Sequence, residues 1–141
     1  MFLIDTDVLS ALRRRERCPE IARWLAAQRT TDLYLSVVSV GEIERGIARV
    51  KCRDPAFAAR LEEWLDALLR IYGDRILPAD LSVARRWGRL SADIGHNGAD
   101  LLIAATALEH GLTVVTRNTR YFAAAGVPVL DPSAPAPPPA S

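Results

Sequence analysis

The run Ala99-Asp100-Leu101-Leu102-Ile103-Ala104-Ala105-Thr106-Ala107-Leu108-Glu109-His110-Gly111-Leu112-Thr113-Val114-Val115-Thr116-Arg117-Asn118 carries a helix, a strand and a polar residue in quick succession. Its first half is apolar almost all round, so it reads as a central, buried helix, starting at Asn97 or Ala99 and running to Gly111. Leu112 to Thr116 then reads as a strand. Asp100 opens the helix and Asn118 follows the strand. A first-turn carboxylate gains ~0.3–1 kcal/mol from the helix dipole. Asp100, however, adjoins an apolar helix, where a charge needs a partner.

Outward from this segment the same alternation continues. Met1 to Ile4 is a short buried strand, followed by Asp5 and a helix from Thr6 or Asp7. Arg13 to Arg17 is a solvated connection, and Pro19 suits the first turn of a helix burying Ile21, Trp24 and Leu25. Leu33 to Val38 reads as a second strand, and Ser39-x-x-Glu42 as a capping box opening a helix to about Val50. Asp54, Pro55 and Gly73 bracket a helix with Phe57, Leu61, Trp64, Leu65, Leu68 and Tyr72 at helical spacing. Arg75 to Leu77 is a brief strand. Asp80 caps a helix ending at Gly95, with Val83, Ala84, Trp87, Leu90 and Ile94 inward, and Val127 to Leu130 is a last short strand. Helices alternating with strands predict an α/β domain with a mainly parallel sheet covered on both faces.

The chain has 141 residues, one domain by length. A formal charge of +1 leaves any polyanion to meet a local basic patch, not a global field. Cys18 and Cys52 have no metal-type spacing, the apolar start stops at Asp5, and no apolar run is long enough for a bilayer. A reduced, cytoplasmic protein with no membrane contact is therefore expected. From Pro132 the Pro/Ala-rich composition predicts a mobile or extended tail, 132–141, after a domain spanning 1–131.

In parallel sheets ligands sit beyond the carboxyl ends of the strands. Asp5 and Asn118 fall at such ends, Glu42 lies a few residues past another, and Asp100 starts a helix. Singly each has a plain explanation: an N-cap, a capping box, a dipole partner, a turn residue. Together, oxygen donors converging on one edge point to a hard divalent cation, Mg²⁺ or Mn²⁺, and so to phosphoryl chemistry. Asp7 reads as a cap. Thr6, Ser39 and Thr116 are expected to orient the carboxylates. Arg13, Arg14 and Arg15, with Arg117, could grip a phosphate backbone, although an arginine run is most often only a solvated loop. His96 and His110 are isolated in sequence and read as surface or turn residues.

At these residues the chain resembles PIN-domain ribonucleases of the VapC/FitB toxin type. Phe2-Leu3-Ile4-Asp5-Thr6-Asp7-Val8 is similar to the family's hydrophobic-D-T-N-V start, and Ser36 to Gly46 to its S-x-x-(S/T)-x-x-E-(I/L)-x-x-G block. Asp100 to Ala107 is similar to D-x-x-I-A-A-T-A, and Thr116 to Phe122 to the T-R-(D/N) block. The match runs from Met1 to Asp131. Asp7 stands where the family usually has Asn, an added acid near Asp5 that could alter metal affinity or take over a ligand role, and Asn118 stands where many members have a fourth Asp.

The resemblance implies a three-layer α/β/α sandwich with Asp5, Glu42 and Asp100 as metal ligands and Asn118 assisting. It further implies RNA hydrolysis by a metal-activated water, and a toxin of a type II toxin–antitoxin pair. Such a protein is a homodimer, blocked by an antitoxin that enters the active-site groove and alone carries the contact to operator DNA. Two other readings stay open. A haloacid-dehalogenase-like phosphohydrolase would use the Asp5-x-Asp7 opening and form a phospho-aspartyl intermediate. A degenerate PIN domain would only bind RNA or a partner.

Overall fold

A computed structural model describes residues 1–134. Five parallel strands form one sheet in the order β3-β2-β1-β4-β5. They are β1 (Phe2–Ile4), β2 (Leu33–Ser36), β3 (Ile76–Leu77), β4 (Thr113–Val115) and β5 (Val129–Leu130). Leu3 sits opposite Tyr34 on one side and Val114 on the other, so β1 is central. Between the strands run α1 (Thr6–Leu12), α2 (Pro19–Ala26), α3 (Val37–Lys51), α4 (Pro55–Tyr72), α5 (Leu81–Ile94), α6 (Ala99–His110) and α7 (Thr119–Ala124).

The alternation of side chains along each strand divides the interior in two. Ile4, Leu33, Leu35 and Val115 face a core completed by α1 to α4 through Val8, Ile21, Ile47 and Leu65. Leu3 and Val114 face the other, with Leu101, Ile103 and Ala104 of α6 and Phe122 of α7. This is the expected three-layer sandwich. Short strands buried on both faces need apolar side chains in succession, as Leu3-Ile4 and Val114-Val115 supply.

The chain leaves β1 toward β2 and leaves β4 toward β5, in opposite directions across the sheet. A crevice therefore opens past the ends of β1 and β4, the position where such sheets bind ligands.

Several local expectations hold and several do not. The Asp54 carboxylate accepts the Phe57 N–H at 3.1 Å and the Asp80 carboxylate that of Val83 at 3.1 Å, capping α4 and α5. Gly95 and Gly111 end α5 and α6 in the left-handed region, at φ 90° and 65°. The second strand stops at Ser36, not Val38, because the Ser36 hydroxyl accepts the Val38 N–H at 3.0 Å and starts α3 there. Ser39 is consequently no cap but a buried first-turn residue, and the capping-box reading of Ser39 and Glu42 is wrong. Ala84 is exposed, since Val83, Trp87, Leu90 and Ile94 make one stripe and Ala84 lies off it. Helix α7 had no counterpart in the sequence reading. After β5, Asp131 accepts hydrogen bonds from the Ser133 N–H at 2.9 Å and hydroxyl at 2.6 Å, and Pro132 is buried. Of the expected tail, 135–141 lies outside the described residues.

Candidate active site

Asp5 ends the central strand and is 5% exposed. Its N–H donates to the Val115 carbonyl at 3.0 Å, extending the ladder, while its own carbonyl accepts from Val8 and Leu9 and starts α1. The side chain makes no capping bond and is free to face the crevice. There one carboxylate oxygen accepts the Thr116 hydroxyl at 2.8 Å. Thr116 in turn accepts the Asn118 N–H at 2.9 Å, which fixes the direction of its own proton.

Burial, opposed by the Thr116 hydrogen bond and reinforced by the charge of Asp100, pushes the Asp5 carboxyl up to about 6. Burial, then the charge of Glu42, also pushes Asp100 up, while His96 pulls it down. Asp100 therefore lies within reach of the charges of both Asp5 and Glu42. Among the described residues neither Asp5 nor Asp100 is ion-paired.

Glu42 reaches this space from the second turn of α3 and is held there by Thr6. The Thr6 hydroxyl donates to Glu42 Oε1 at 2.8 Å and lies 2.7 Å from the Ser39 hydroxyl. A hydroxyl has one proton, so with Thr6 committed to Glu42 the Ser39 hydroxyl supplies the other bond. On its outer side Glu42 has only a long contact to Arg45, 3.9 Å.

Thr6 and Thr116, expected to orient the carboxylates, bond to those of Glu42 and Asp5, and Ser39 bonds to Thr6. Asp7 is different. It forms no capping hydrogen bond but takes the Arg117 guanidinium in two bonds of 2.8 and 2.6 Å, at the surface. Arg117 is thereby spent on joining α1 to the β4–α7 loop. Asn118 is exposed and engages the site through its backbone N–H, while its side chain forms no hydrogen bond among the described residues. Arg14 and Arg15 are exposed as expected, and the Arg13 guanidinium lies 5.3 Å from the Phe57 ring centre. A groove of about 290 Å³ begins at Thr6 and Glu42 and continues to Arg13, Arg14, Phe57 and Trp64.

Sequence reading missed the neighbourhood of His96, which stands with Tyr121 beside Asp100. Loop and α7 meet only in three dimensions, and the one local hint was the aromatic pair Tyr121-Phe122, three and four places after Asn118.

The candidate donors are oxygens: three carboxylates, two of them steered by hydroxyls. That donor set suits Mg²⁺ or Mn²⁺ better than a soft metal. Among the described residues no three carboxylate, imidazole or thiol groups are drawn into a ready-made ion cage. The fit is instead electrostatic, because clustered acids without a cation, one of them nearly fully buried, favour a bound positive charge.

Comparison with known proteins agrees with this architecture. The PIN domain family model matches residues 2–127. The VapC ribonuclease Y4jK of Sinorhizobium fredii is 39% identical, covering 96% of this chain and 100% of its own. The toxin FitB of Neisseria gonorrhoeae is 35% identical over 94% of this chain and 98% of its own. The crystal structure of FitAcB from Neisseria gonorrhoeae superposes with a TM-score of 0.84 at 36% identity, covering 94% and 98% of the two chains. That of FitAB bound to an IR36 DNA fragment gives 0.86 at 33%, covering 96% and 98%. Sheet order, the acids at the strand ends and these matches agree: the chain belongs to the PIN-domain family, on its VapC/FitB branch.

Proposed function

We infer that this protein is a metal-dependent endoribonuclease and the toxin of a type II toxin–antitoxin pair. The observation that carries the reading is Asp5, a carboxylate buried at the end of the central strand, held by the Thr116 hydroxyl and within reach of the Asp100 charge, with no ion-pairing partner among the described residues. Asp5, Glu42 and Asp100 would hold Mg²⁺ or Mn²⁺, which when bound polarises a phosphodiester and acidifies water. Thr116 holds the Asp5 carboxylate in one rotamer, and Thr6 with Ser39 holds that of Glu42, so reorganisation on binding is small. Asn118 adds a neutral amide at the rim.

The related proteins named ribonucleases and toxins support RNA as substrate and the toxin role. Solved relatives in complexes such as FitAB on DNA support an antitoxin as partner, with operator DNA reached through it. Homodimerisation belongs to the same proposal. The groove from Glu42 to Arg13 and Arg14 offers a path for RNA or for an antitoxin segment. Among the described residues no helix is long and apolar enough to cross a membrane. The haloacid-dehalogenase reading loses ground, since Asp7 is tied to Arg117 at the surface and Lys51, the only lysine, ends α3.

The test is incubation of total RNA with the antitoxin-free protein in Mg²⁺ or Mn²⁺, beside EDTA and Asp5→Ala controls. Discrete fragments lost in both controls are expected. Intact RNA with a demonstrably folded protein overturns the nuclease reading in favour of a PIN domain that only binds.

A further inference from the structure

Two aromatic rings at the rim of the acid site take no part in the chemistry above. His96 lies in the loop before α6 and is exposed; Tyr121 lies early in α7 and is half-buried. Their ring centres are 5.1 Å apart with planes tilted by 44°. The Tyr121 hydroxyl is 3.3 Å from His96 Nδ1, and the Gly98 N–H donates to the same nitrogen at 3.4 Å. Two donors on Nδ1 leave the proton of a neutral imidazole on Nε2. Tyr121 in turn meets Phe122 edge-on, at 5.4 Å and 79°, and Phe122 is fully buried.

An exposed ring is thus braced by a half-buried one, itself braced by the core. A solvated loop histidine needs no such support. His96 precedes Asp100 by four residues, in the loop that leads into α6, and Tyr121 is held to His96, so both rings are near enough to Asp100 to feel its charge; His96 pulls its carboxyl down. Burial first and the Asp100 charge second push the Tyr121 phenol up.

The geometry points to His96, braced by Tyr121, as a platform on which an unpaired RNA base near the scissile phosphate stacks. This rests on the ribonuclease reading and adds a base-recognition element to it. Sequence-selective contacts to RNA are made mostly to splayed single-stranded bases, and histidine and aromatic rings are their usual supports. Closeness to Asp100 ties the platform to a nucleotide near the cut. His96 touches the base; Tyr121 is a positioning residue.

The experiment reads binding in EDTA, so that it does not depend on catalysis. Fluorescence anisotropy compares a labelled single-stranded RNA of about twelve nucleotides with a chain of equal length bearing ribose and phosphate but no bases. Wild type is expected to favour the base-bearing chain. His96→Ala should weaken RNA binding roughly tenfold, the size of one base–aromatic stack, and leave the abasic chain unchanged. His96→Phe, which keeps a ring, should retain the preference, and Tyr121→Phe should lose part of it by freeing His96. Unchanged RNA affinity in His96→Ala overturns the platform. Equal binding of both chains by wild type overturns it too, with the nuclease reading intact. Binding of neither chain overturns the platform as well, and the cleavage assay in Mg²⁺ or Mn²⁺ decides the nuclease reading separately.

Discussion

Replacing Asp5 by Asn should make the metal-free protein more stable while abolishing its activity. The native carboxyl titrates at about 6 against an ordinary value of 3.8, mainly because burial disfavours its charge. Between those two values the native state holds a proton that the unfolded chain has released, so stability falls as pH rises through the window. Above it the full cost applies, roughly 3 kcal/mol at 1.36 kcal/mol per pH unit. Asn keeps an oxygen to accept the Thr116 hydroxyl and carries no charge to desolvate. In EDTA at about pH 7.5 the variant should therefore exceed wild type by up to ~3 kcal/mol, roughly 10 °C in Tm for a domain of this size. At about pH 4.5, where most of the unfolded-state difference has gone, the gap should shrink to ~1 kcal/mol.

Thermal unfolding followed by circular dichroism at the two pH values measures both numbers. Adding Mn²⁺ should then raise the Tm of wild type much more than that of the variant, because a ligand stabilises only the state that binds it. A variant no more stable than wild type at about pH 7.5, or a gap that ignores pH, would refute the assignment of Asp5 as a strained, cation-seeking carboxylate.

Three further outcomes follow from single contacts. Thr116→Val deletes the hydroxyl that orients Asp5 and lowers its pKa, so Mn²⁺ affinity by titration calorimetry should drop ~10–100-fold with little change in fold. A double-mutant cycle on Asp7→Asn and Arg117→Gln, read by urea unfolding, should give a coupling below ~1 kcal/mol, since the two side chains are 46% and 41% exposed. Phe122→Ala removes a fully buried ring from the core behind β4 and should cost about 3–5 kcal/mol by the same assay.

Much of this fold could be read from the chain because its local signals agree. Asp54, Pro55 and Gly73 mark the ends of α4 without help from elsewhere, and the apolar run of α6 could be nothing but interior. The start of α3 could not be read in the same way. Val37 and Val38 are strand formers, and Ser36 and Ser39 are both acceptable caps. The choice fell to tertiary packing, with Val38 against the second core and Ser39 buried against Thr6. Helix α7 spans six residues, too few for a period to emerge. The partnership of His96 with Tyr121 and of Asp7 with Arg117 bridges 25 and 110 residues, and no local rule reaches that far.

The acid site was visible for a topological reason. In a parallel sheet every strand ends on the same edge, so polar residues after β1, β2 and β4 must come together once those strands are adjacent. What topology leaves open is which polar residue faces inward, and the Asp5-Thr6-Asp7 triplet shows how that is settled. Asp5 follows the strand in extended backbone, at ψ 149°, and Thr6 and Asp7 are the first two residues of α1, turned about 100° from one another. The three side chains leave in three directions: Asp5 to Thr116, Thr6 to Glu42 and Asp7 to Arg117. The change from strand to helix between Asp5 and Asp7 thus separates two acids that stand two residues apart, and an extra carboxylate in the motif need not mean an extra ligand in the site.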